Sequence, residues 1–295
     1  MKQFLPILFA GLTLFGCQKA AEKPETPTQN EAKKYDVTFK VADFGSTVGA
    51  FNASTKGTMA VGDTLKNYAD NLYYYVFNSS GTLVKSITQS AATAGFGTVT
   101  DQLPTGTYDV FMAASRGALT LQASGGYNVA WYQAYPWNDT FTKTLSLTVG
   151  TSAITQTVRL DRAVGGLEIT LTDVIPSTVA KISVVYDKDA SNLLMRTGGT
   201  FTSGTATKDF MISSADVGVK NKKFFLYIGN TSTPAIVRIL AYDASNNIIS
   251  QKQVGPVTVS KNQITLLSGS LLLKSSSDFN VAVNPAWSTG TTQNF

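Results

Sequence analysis

Period-two alternation of apolar and polar residues recurs along this chain, and nowhere does a 3.6-residue apolar stripe persist beyond two turns. Segments patterned this way bury one face as strands rather than as helices. Val37, Phe39 and Val41 alternate with Thr38 and Lys40. Leu72 to Phe77 runs into Asn78-Ser79-Ser80-Gly81 and then Leu83-Val84, which reads as strand, turn and strand of a hairpin. Leu103-Pro104-Thr105-Gly106 turns into the alternating Tyr108, Val110 and Met112. Leu145-Leu147-Val149 and Ile154-Val158-Leu160 complete the first half. Only Ala60 to Tyr68 has room for a short helix.

The second half repeats the first at an offset of 110 residues. Leu147-Thr148-Val149 and Ile154-Thr155 recur as Val257-Thr258-Val259 and Ile264-Thr265, with four residues between in each case. Leu72 to Phe77 aligns with Ile182 to Asp187, and Ile239 to Asp243 turns through Ser245-Asn246-Asn247 into Ile248-Ile249. Many short strands with turn residues every 8–12 positions are the pattern of sandwiches. The expected fold is all-β, with one sandwich over 35–160, a second over 161–295, and the boundary near Leu160-Asp161-Arg162.

Composition removes whole classes of chemistry. The 295 residues contain no histidine and one cysteine, Cys17. Ser-His-Asp triads, disulfides and thiolate metal sites all need residues that the chain lacks. Nineteen carboxylates remain, yet no pair stands out as an acid/base couple and no glycine-rich phosphate loop precedes a helix, so no catalytic, cofactor-binding or metal site is assigned. The net charge of +5 is scattered, whereas nucleic acid would want a dense basic face.

Cys17 itself sits at a telling place. Lys2 gives a positive start, Phe4 to Phe15 is apolar apart from Gly11 and Thr13, and Leu14-Phe15-Gly16-Cys17 closes the run. The run is shorter than the roughly 20 residues that a membrane span takes, and it has the size of a secretory h-region. It resembles a lipobox, which implies a signal peptide over 1–16, acyl chains (palmitate among them) on Cys17, and a mature chain tethered to a membrane. Residues 17–34 follow as a spacer: positions 18–34 hold no large apolar side chain, cannot offset the entropy of ordering, and should reach about 20–25 Å.

Leu160-Asp161-Arg162-Ala163-Val164-Gly165-Gly166-Leu167-Glu168-Ile169, followed by Thr172-Asp173-Val174-Ile175-Pro176, resembles the start of the second domain in the fimbrillin superfamily of Bacteroidota, and most of all its FimB/Mfa-type anchor lipoproteins. The turns at Asn78 to Gly81 and Leu103 to Tyr108 match the first domain's pattern. The resemblance implies two tandem transthyretin-like β-sandwich domains, an outer-membrane lipoprotein exposed at the cell surface, and assembly with fimbrial subunits by strand addition. Stalk subunits of that family lose their first strand after an arginine. Here no arginine occurs between Cys17 and Arg116, so the candidate first strand, Asp36 to Phe44, is expected to stay in place, as an anchor or accessory subunit requires.

Four further groups of residues call for a reading. Phe279, Val281 and Val283 alternate near the C-terminus, either as a strand that contacts a neighbouring subunit or as the last strand of their own domain with Trp287 capping its core. Tyr127, Trp131, Tyr132, Tyr135 and Trp137 fall within eleven residues; they are either a glycan-stacking surface or rings that cover the open end of the first sandwich. Asp187, Asp189 and Asp243 are too few for calcium and are expected to be turn residues, while Arg162 and Glu168 flank the boundary as a candidate ion pair.

Overall fold

The computed structural model describes residues 32–44, 65–124, 127–132, 137–195, 199–272 and 280–284. The expected signal peptide, Cys17 and most of the expected spacer lie outside them, as do Tyr135, Phe279 and Trp287.

Residues Lys34–Phe295 form one compact unit, and its described residues are built almost wholly of strands. In the N-terminal half these are β1 (Lys34–Phe44), β2 (Asn71–Asn78), β3 (Leu83–Ser90), β4 (Thr98–Pro104), β5 (Gly106–Ser115), β6 (Leu119–Ser124), β7 (Tyr127–Tyr132), β8 (Thr140–Val149) and β9 (Ile154–Arg162). The C-terminal half has β10 (Gly165–Leu171), β11 (Lys181–Leu194), β12 (Gly199–Met211), β13 (Lys222–Ile228), β14 (Ala235–Tyr242), β15 (Ile248–Val257), β16 (Ile264–Gly269) and β17 (Asn280–Asn284). Of the segment with room for a helix, the described part holds a single 3-10 turn, Leu65–Asn67.

The wiring repeats. In the first half β3-β2-β5-β8 form one layer and β9-β1-β4 the other. In the second half β12-β11-β14-β15 and β16-β10-β13 take the same places, with β17 added outside β16. Ile154 and Ile264, 110 residues apart, each open the strand that runs parallel to the first strand of its half: Val37 faces Ile154, and Gly166 faces Ile264. Each half has its own core. Val37, Phe39, Val99 and Leu160 meet Leu72, Tyr74, Val110 and Met112 in the first. Leu167, Ile169, Leu226 and Leu267 meet Ile182, Val184, Val237 and Ile239 in the second.

A third cluster joins the halves. Tyr73, Tyr75 and Phe77 point away from the first core and pack with Phe111, Leu119, Trp137, Val164, Ala190, Leu193 and Met195. This explains why Leu72 to Phe77 is apolar without alternation: β2 is buried on both faces. The hairpin β6–β7, though it belongs to the first half in sequence, joins the second half's sheet through β7, whose Trp131 faces Asn192 of β11.

The anticipated hairpin is β2–β3. Gly81 takes φ 77°, a left-handed conformation that glycine adopts without penalty, and the Asn78 side chain accepts from the amides of Ser80 and Thr82.

Candidate functional site

The described residues can meet another molecule at their strand edges, at their ends and along the aromatic segment. The first strand is fully paired. β1 lies between β4, antiparallel to it, and β9, parallel to it, with Val37 and Phe39 wholly buried. Removing it would expose both an apolar trough and two rows of backbone groups. At its start a cleft is lined by Lys34, Asp36, Lys85, Thr100, Asp101 and Gln102. The charges there are occupied with one another: Asp101 accepts from the Tyr74 hydroxyl at 3.3 Å and lies 3.6 Å from Lys85, and the Gln102 amide donates to Asp36 at 2.8 Å.

The C-terminal strand is held differently. β17 pairs with β16 of its own chain over five residues, and among the described residues its other side is a sheet edge. Val281 is 51% exposed and Val283 42%, so neither anchors a core; backbone pairing is what holds this strand. A short edge strand with apolar side chains on display and one row of unpaired backbone groups is a template for pairing with another chain.

The aromatic segment divides. Tyr127 and Trp131 lie on β7, and Tyr135 is outside the described residues. Trp137 corrects the sugar-stacking expectation: it is 2% exposed, its indole N–H donates to the Ala190 carbonyl at 2.7 Å, and its ring lies against Gly229. A ring enclosed in this way has no face left for a ligand. A methyl group on Gly229 would come within 2.4 Å of the indole nitrogen, so glycine is what lets the two segments touch.

The boundary pair is also corrected. Arg162 ignores Glu168 and forms a bidentate pair with Asp139, at 2.7 and 2.9 Å, while its remaining nitrogen donates to the Asn262 side chain at 2.8 Å. Glu168 pairs with Lys223 instead. Arg162 is 3% exposed and sits over the Phe141 ring. Its partners come from both sides of the boundary, so the guanidinium is a cross-brace between halves, a role that sequence distance hid: Asp139 and Asn262 are 23 and 100 residues away.

The acidic residues expected in turns fall into two kinds. Asp243 accepts from the amides of Ser245 and Asn247 in an Asx turn. Asp187 accepts from the Ile236 amide, and Asp189 is buried within β11 rather than in a turn. One oxygen of Asp189 accepts from the amides of Ala190, Gly229 and Asn230, which ties β11 to the loop after β13; among the described residues the other has no hydrogen-bond partner, and neither does the buried Tyr186 hydroxyl. Burial pushes the Asp189 carboxyl up to about 6, against the pull of the three amides. An unfolded aspartate loses its proton near 4, so between these values the folded chain holds the extra proton and stability falls as pH rises, levelling off above the folded value. Thermal or urea melts should therefore show Asp189 contributing roughly 1 kcal/mol more stability near pH 5 than near pH 7. Asp189→Asn keeps an acceptor for the three amides and should flatten that slope. An unchanged slope in the variant would assign the dependence elsewhere.

A model of a family of unknown function (DUF6562) matches residues 136–294, more than half of the chain. No curated protein matches the sequence. Among solved structures, the chain is similar to candidate polysaccharide-binding proteins (DUF1812) from Bacteroides thetaiotaomicron, with a TM-score of 0.54 and 11% identity over 86% of this chain and 96% of that one. A candidate adhesin from the same organism gives 0.51 and 8% identity over 86% and 97%. The fimbrial anchor protein Mfa2 from Porphyromonas gingivalis gives 0.48 and 10% over 80% and 90%. The likeness is one of fold.

Proposed function

The chain belongs to the DUF6562 family, and from that starting point we propose that it is a non-enzymatic cell-surface lipoprotein, an anchor or accessory subunit of fimbriae built from two tandem transthyretin-like sandwich domains. Cys17 carries the acyl chains, residues 18–34 give reach, and neighbouring subunits add a strand to an open sheet edge. Burying acyl chains contributes about 0.8 kcal/mol per CH₂, and a diacylated cysteine supplies the two chains that stable anchoring needs.

The observation that carries this reading is the contrast between the two ends of the described fold. β1 is paired on both sides and keeps its place in the first core, while among the described residues β17 leaves one side open and displays Val281 and Val283. A subunit with this arrangement needs no donated strand to complete its first half and still has an edge to offer. What the Bacteroides thetaiotaomicron neighbour is described as binding suggests a glycan as the second reading, now resting on Tyr127 and Trp131 without Trp137.

The test joins tether and edge. In cells fed an alkyne palmitate analogue, the wild-type chain should be labelled and Cys17→Ala should not. Surface cross-linking should give a ladder of subunits that Val281→Lys together with Val283→Lys removes, because lysine on an edge strand opposes pairing. An unlabelled wild-type chain removes the anchor; a ladder that survives both lysines removes the β17 edge as the point of assembly.

A further inference from the structure

Large exposed apolar side chains are not spread evenly over the described residues. Of nine, six lie at one end of the C-terminal half: Val174, Met211, Val217, Val219, Ile248 and Ile249. The end in question is where β10 stops and β11 starts, away from the junction with the first half. Met211, Lys181, Tyr242 and Ile248 face one another across four neighbouring strands, forming the last row of the sheet β12-β11-β14-β15. Residues in one such row point to one side, and since Ile182 of the next row is buried in the core, this row points outward. Met211 at 72% and Ile248 at 52% are its two extremes. Beside it, the Ile175 amide and carbonyl bond to Val219 and Gly218, which sets Val174 next to Val217 and Val219 on the adjoining loops.

Apart from the buried Asp173, the charges around these side chains cancel. Lys181 lies 3.3 Å from Asp209 and 4.4 Å from the Tyr242 ring centroid, Lys222 pairs with Asp216, and Lys223 pairs with Glu168. Lys220 and Asp243 add one charge of each sign. A surface that had to attract a polyanion or an anionic membrane would carry an excess of one sign. A surface that meets its own copy about a two-fold axis must instead be self-complementary, because every net charge would face its like. Apolar residues with a balanced rim satisfy that condition, and an exposed apolar concentration of this kind marks an interaction site.

We propose that this end of the C-terminal half is a self-pairing surface, docking with the same surface of a second copy of the chain. The pairing does not depend on the lipid tether.

The experiment is sedimentation velocity on the full chain bearing Cys17→Ser, so that no acyl chain contributes, from about 1 µM to about 1 mM. A concentration-dependent dimer is expected for this chain. Met211→Glu and Ile248→Glu should each weaken it by about tenfold or more, because a carboxylate would be taken out of water against apolar groups. Val84→Glu, on β3 of the other half and 45% exposed in the parent, should leave it unchanged. Thermal melts of the four proteins at a concentration where the parent is monomeric should coincide, since each altered side chain is already well exposed. A chain monomeric over the whole range overturns the proposal, as does a dimer indifferent to both glutamates. So does a monomer that co-sediments with phosphatidylethanolamine/phosphatidylglycerol vesicles in a Met211-dependent way, which would make this a lipid-docking surface.

Discussion

Replacing Trp137 by alanine should lower the stability of the whole unit by about 3–5 kcal/mol, the usual range for deleting a fully enclosed large aromatic. For a chain of this size that corresponds to a fall in Tm on the order of 10 °C. Two terms add. The indole fills the space between Ala190 and Gly229, where the backbone approaches so closely that a Cβ on Gly229 would overlap it, and that space cannot collapse without moving β11. The Ala190 carbonyl also loses the donor that satisfies it at 2.7 Å, and a buried acceptor left alone carries its own penalty. Trp137→Phe separates the terms by keeping most of the volume and losing the hydrogen bond, so it should cost only about 1–2 kcal/mol. Because the ring belongs to the cluster joining the halves, the alanine variant should also broaden the melt or split it in two. A variant within about 1 kcal/mol of the parent would mean that the ring does not fill this space.

That prediction depends on a direction which sequence does not contain. Five aromatic residues close together in a Gly/Asn-rich stretch look alike until the backbone says which way each faces, and the enclosure of Trp137 comes from Ala190 and Gly229, far along the chain. Local pattern was a better guide where pairing is local. The β2–β3 turn follows from Asn78 and Gly81, and the 110-residue offset places Ile154 and Ile264 at equivalent starts. Pattern misled where strands are buried on both faces or carry bulges. Asp187-Lys188-Asp189 has the composition of a turn, yet β11 runs through it with register shifts between Tyr186 and Asn192 and turns Asp189 inward. The β6–β7 hairpin likewise crosses to the other half's sheet because Trp131 finds an edge opposite Asn192, and nothing in its alternation distinguishes that edge from a nearer one. The apolar end formed by Met211 and Ile248 was hidden for the same reason, since a row across four strands draws on residues 181, 211, 242 and 248.

Arg162→Met should be comparably severe, about 3–5 kcal/mol, because it removes the cation and leaves the Asp139 carboxylate uncompensated in a site where the residue is only 8% exposed. The guanidinium makes two bonds to Asp139 and one to Asn262, with Phe141 beneath it at 4.8 Å, so the start of β8 and the loop before β16 share one planar group carried by β9. Lysine cannot reproduce that fork, and Arg162→Lys should recover less than half of the loss. Removing the carboxylate as well should be more instructive than either single change. In Asp139→Leu with Arg162→Met no buried charge is left alone, so the double variant should be more stable than Arg162→Met by about 2 kcal/mol or more, as measured by urea melts over the full cycle. That recovery distinguishes a brace retained for the register between halves from one retained for stability alone. If the register needs the fork, the recovered protein will still lose near-UV ellipticity from Trp137 and will exchange its β9–β10 amides faster than the parent. If stability and exchange protection return together, the apolar cluster of Phe111, Ala163, Val164 and Leu193 holds the halves in register by packing, and the ion pair serves only to neutralise the carboxylate buried beside it.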